Sequence, residues 1–197
     1  MIKGGAWVVI IAAAATLVVL ALATKKETIS TQPDQISAAE TAQAAEKIKE
    51  VRSGDGKAKL VRIVRESTGG GTSYTIRVIS GGSERELFSR VVGPGSAIDI
   101  PFNSWSPDNK QFFLEENDGQ TVRYLVYRED GGKYGGEREY LNINEDWAKS
   151  KNNYVIDGVT GWEGNDLLRV VTNNGDGTKG PSFWFVVSSQ KFLRLRG

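Results

Sequence analysis

The chain has 197 residues, with 25 Lys and Arg against 24 Asp and Glu. That balance leaves no surplus of cation for a phosphate backbone, so no nucleic-acid partner is expected. There is no Cys and no His, which excludes disulfides, thiolate nucleophiles, His-ligated metals and Ser–His–Asp catalysis, and no cofactor is expected.

The first predicted element is apolar. Gly4 to Thr24 carries no charge, with Lys3 before it and Lys25-Lys26 after it. Twenty-one residues at about 1.5 Å each make about 32 Å of helix, enough to cross a hydrocarbon core of about 30 Å. Residues 1–26 therefore read as a single-pass transmembrane anchor, with membrane lipid as the partner of residues 4–24. Ala21-Leu22-Ala23 also fits a signal-peptide cleavage pattern, and that alternative stays open. The short N-terminus and the large following segment place residues 25–197 outside the cytoplasm.

Residues 27–55 read as linker and stalk. Pro33 opens a helical stretch, DQISAAETAQAAEKIKEVR, in which Ser37 and Glu40 have capping-box spacing. Its Ala, Glu and Lys content favours helix, and Ser53-Gly54 is expected to end it. The apolar face holds only Ile36, Ile48 and Val51, which predicts a partly exposed helix.

Residues 56–197 change to short alternating runs rich in β-branched and aromatic residues, separated by Gly, Asn and Asp. Three similar units begin at Leu60, Gln111 and Leu167, spaced 51 and 56 residues apart. Each reads strand, Gly-rich hairpin, strand, turn, strand. The predicted fold is mainly β: three propeller-blade-like antiparallel meanders, arranged as an incomplete propeller or a modified sandwich. Completion of a ring by a homo-oligomer is a further option.

Between the units lie 98–110 and 155–166. Each places an Asp and then a Trp before the next unit: Asp99 with Trp105, and Asp157 with Trp162. Ser104-Trp105-Ser106-Pro107-Asp108-Asn109-Lys110 resembles the Trp-Ser-Pro-Asp-Gly-Lys signature of the PD40, or TolB-like, β-propeller repeats. Asn109 stands where Gly is usual. The third unit keeps its Trp but continues Glu-Gly-Asn-Asp, and the first unit shows no such signature. The resemblance implies a scaffold for protein contacts.

The candidate binding residues are Asp99, Trp105, Trp147, Asp157 and Trp162. Trp105 and Trp162 recur with the repeat, so blade packing competes with binding for them. Trp147, in the charged loop EDWAKSKN, is expected to be exposed. Trp184 alternates within a strand and is expected in the core. Arg194 and Arg196 share one strand face, either as a solvated edge or as a site for an anionic partner. No catalytic residue is expected. The sequence reads as a membrane-tethered binding or scaffold module with a protein partner in the cell envelope. A pilin-like filament subunit and a carboxylate-based glycan hydrolase are the alternatives.

Overall fold

A computed structural model describes residues 45–67 and 69–196. The predicted anchor, and the predicted stalk as far as residue 44, lie outside the described residues. The described part is mainly β, with twelve strands in three four-stranded antiparallel sheets and one helix.

The first sheet contains β1 (Lys47–Arg52), β2 (Ala58–Glu66), β3 (Thr72–Ser80) and β4 (Ser83–Val92) in sequential order. The second contains β5 (Ala97–Asp99), β6 (Gln111–Asn117), β7 (Val122–Arg128) and β8 (Tyr140–Asn142). The helix α1 (Ile143–Lys149) follows. The third sheet contains β9 (Val155–Gly164), β10 (Leu167–Asn173), β11 (Phe183–Val186) and β12 (Lys191–Arg194). Each predicted three-strand unit thus gains one strand in front of it. A two-residue hairpin joins Ser80 to Ser83, where Gly81 and Gly82 both take positive φ, 56° and 79°. A two-residue turn of this hand needs residues without a Cβ penalty at those places.

The second sheet is covered on both faces. Phe112, Leu114, Leu125 and Tyr127 pack with Leu60, Tyr74, Ile76 and Val78 of the first sheet. Phe113, Tyr124 and Val126 point the other way and pack with Trp162, Leu168, Val170, Phe183 and Phe185 of the third. Phe112, Phe113 and Leu114 are all fully buried. A continuous apolar run is what a strand needs when neither of its faces meets water.

Two expectations about elements are corrected. Lys47–Arg52, placed in the stalk helix, is strand β1, paired along its whole length with Lys59–Val64. Helix propensity is worth only tenths of a kcal/mol per residue and yields to a complete ladder and to packing of Val51 against the first two sheets. The first sheet accordingly begins before residue 56, and Ser53-Gly54 is a strand turn rather than a helix cap. Residues 155–166, read as a connector, are largely β9. Three register shifts against β10 hide its alternation.

Among the described residues no helix is long and apolar enough to cross a membrane.

Candidate functional site

The Trp-Ser-Pro-Asp segment forms the turn into β6. Ser106 Oγ donates to Asp108 Oδ1 at 2.7 Å and accepts from Gln111 N at 3.0 Å. Lys110 N donates to Asp108 Oδ1 at 3.2 Å, and Asn109 takes φ 59°. The sequence reading missed a second copy, Ser53-Gly54-Asp55-Gly56-Lys57, at the turn into β2. There Ser53 Oγ donates to Asp55 Oδ1 at 2.8 Å and accepts from Ala58 N at 2.9 Å. Lys57 N donates to Asp55 Oδ1 at 3.1 Å, and Gly56 takes φ 71°. The backbone bonds match as well: Ser53 N to Ala58 O and Ser106 N to Gln111 O. Asp108 therefore holds a turn, and so does Asp55. The first copy escaped notice because Arg52 occupies the place of Trp105.

The two repeat tryptophans tie each sheet to the one before it. Trp105 Nε1 donates to Val51 O at 3.1 Å, and Trp162 Nε1 donates to Ser104 O at 2.7 Å. Val51 and Ser104 occupy the same place, two residues before the turn serine of their own sheets. Both indoles are buried, so their binding role gives way to packing. At the second junction Gly161, at φ 127°, sits so close to Asn103 that an added Cβ would lie 1.9 Å from its Nδ2.

Asp99 and Asp157 lie on the first strands of their sheets and engage different partners. Asp99 Oδ1 accepts from Lys49 Nζ at 2.9 Å and from Arg62 Nη1 at 2.5 Å. Asp157 sits at a register shift of β9 and accepts from Asn173 Nδ2 at 2.8 Å. Asp99, Glu115 and Tyr124 form one cross-strand row over β5, β6 and β7. Burial raises the Glu115 carboxyl above its ordinary value, and the Asp99 charge adds to this while Lys49 opposes it. The Tyr124 hydroxyl is pushed up to about 12, by burial first and then by the Glu115 charge.

Trp147 is corrected: it is buried, at 7% exposure, on α1. Asn142 caps that helix, accepting from Asn144 N and Glu145 N. This sets the indole edge-on to Phe183 and Phe192, with Nε1 donating to Tyr154 O at 2.9 Å. Trp184 is corrected in the opposite sense. It lies on the outer face of the third sheet, half-buried, and its indole N–H donates to Glu163.

No family model matches the chain, and no curated protein matches it at a significant level.

The most exposed aromatic among the described residues is one the sequence reading passed over. Phe102 is 96% exposed, in the segment that joins β5 to the Trp105 turn. Pro101 precedes it, and Ser104 and Trp105 behind it are buried. The side chain is thus carried by backbone that is pinned on one side. A single apolar anchor on a supported loop suits recognition of an apolar pocket in a partner.

Proposed function

We propose that this chain is a membrane-tethered, non-enzymatic binding or scaffold module of TolB-like β-propeller type, acting in the cell envelope. Its three sheets act as propeller-like blades in an open arc, and the apolar segment 4–24 confines the arc to a bilayer. Confinement raises the effective concentration of the module toward partners in the same membrane. The observation that carries the reading is Phe102: a nearly fully exposed phenyl on the β5–β6 connection of the second sheet, three residues before the inward-turned Trp105. Burying a Phe side chain is worth about 2 kcal/mol, which is available to a partner that covers it.

The repeated turn at Ser53–Lys57 supports the repeat reading, since in two successive sheets the second strand is entered through the same hydrogen-bond pattern. A photo-crosslinking amino acid in place of Phe102, in the full chain in its native membranes, tests the proposal. Capture of a discrete envelope protein is expected, with no capture from the same group at buried Trp147. Absence of any adduct at position 102 would count against a protein-binding role.

A further inference from the structure

A groove of about 840 Å³, inside the size range of small-ligand sites, wraps one end of the third sheet, with Trp184 and Arg169 on its outer face and Arg194, paired with buried Phe183, on the other. Arg169, Lys179, Arg194 and Arg196 line it against one carboxylate, Glu163. The whole chain is nearly neutral, with a net charge of +1, so this gathering of cations is local. Glu163 is already engaged: Oε1 accepts from Arg169 Nη1 at 2.9 Å and Oε2 accepts from the Trp184 indole. Among the described residues, Lys179, Arg194 and Arg196 are paired with no carboxylate.

The groove is also built on a fixed frame. Trp184 stands on β11 between its cross-strand neighbours Arg169 and Leu193. Leu195 N donates to Ser182 O at 2.9 Å, so the segment bearing Arg194 and Arg196 stays laced to the strand beside it. The Arg194 guanidinium lies 5.9 Å from the centre of the Tyr154 ring, a contact that orients it without cancelling its charge. Free, oriented guanidinium groups bind carboxylate or phosphate in two-pronged fashion. The Trp184 indole, which lines the same groove and is anchored through its N–H, offers an apolar face to a sugar ring.

We infer that this groove binds an anionic saccharide, its acidic group held by Arg194, Arg196 and Lys179 and a sugar ring laid against Trp184. The inference needs neither the membrane anchor nor a protein partner, so it stands apart from the scaffold role. Carboxylated and phosphorylated sugars present the same chemistry to the groove.

The test is calorimetric titration of the purified full-length chain with polygalacturonate, with a sugar-phosphate polymer, with neutral dextran and with poly-glutamate. Binding of at least one of the two anionic saccharides is expected, and which of them binds identifies the acid. The combined Arg194→Ala and Arg196→Ala variant, and Trp184→Ala, should each weaken that binding at least tenfold, with dextran inert. Should Trp184→Ala fail to fold, Trp184→Phe and the double arginine variant decide. The inference is overturned if neither anionic saccharide binds, if dextran binds equally well, or if the arginine variant binds as the parent does. It is overturned in favour of an acidic peptide if poly-glutamate binds as tightly and is indifferent to Trp184.

Discussion

Trp105 and Trp162 each lose their reach to the preceding sheet when the indole N–H is removed. A net hydrogen bond is worth about 1 kcal/mol, and a buried carbonyl left short of a partner adds to the loss. Ser104 O keeps a second donor, Phe113 N at 3.0 Å, and Val51 O keeps its ladder partner Leu60 on β2, so the two effects should be similar. Trp105→Phe and Trp162→Phe should each lower the unfolding free energy in urea by about 1–2 kcal/mol. Unchanged midpoints would mean that the two bonds contribute nothing between the sheets. Glu115 provides a pH test. Its carboxyl titrates higher in the folded chain than the ordinary 4.5, so the folded state holds the proton more tightly than the unfolded state. The penalty is absent below 4.5 and grows as pH rises through the folded value. Glu115→Gln should therefore melt above the parent at pH 7, with the difference closing on acidification below about 4.5. A gain that persists at low pH would place its cause outside this titration. The turn at Ser53–Lys57 was readable in the sequence from its spacing to Ser106–Lys110, but the missing Trp concealed it. Phe102 left no signal, because exposure of one loop residue depends on where the neighbouring sheets stop.

At the scale of elements, strands with clean alternation and Gly-rich turns were readable, and those with neither were not. β1 is written in Lys, Glu and Ile, a composition that favours helix when no partner strand is in view. β9 has its alternation broken by three register shifts, and α1 is too short for a periodic stripe. The cap was nonetheless present in the sequence, because Asn142 and Glu145 have capping-box spacing, and Asn142 Nδ2 donates to Glu145 Oε1 at 2.9 Å. β1 brings the Val51 carbonyl to Trp105, Lys49 to Asp99 and the Val51 side chain to the core. A chain beginning at residue 56 should then be less stable than one beginning at residue 45 by at least about 3 kcal/mol, from the lost bonds and Val burial together. Equal urea midpoints for the two chains would show that residues 47–52 contribute as a detached stalk and not as a strand.

For the whole molecule, the threefold recurrence was visible in the spacing of the units, whereas the direction each face points was not. That direction depends on which sheet has two neighbours. The second sheet has two, so its strands are apolar on consecutive residues. The first and third have one each, and their outer faces carry ion pairs such as Lys59–Glu50, Arg77–Glu84 and Arg169–Glu163. Terminal units of a stack with polar outer faces limit further stacking. An ionic contact also joins the first two sheets, where buried Glu116 meets Arg90 from β4 and Arg123 at 3.4 Å. The chain has no native Cys, so a single introduced thiol reports its own accessibility. Thiol labelling of Phe113→Cys and Leu114→Cys, with exposed Phe102→Cys as the reference, measures whether the middle sheet is covered on both faces. The account predicts fast labelling at 102 and protection at both 113 and 114, each reacting only as fast as the protein unfolds. Rapid labelling at either 113 or 114 under native conditions would contradict it, because one face of the second sheet would then be open to water.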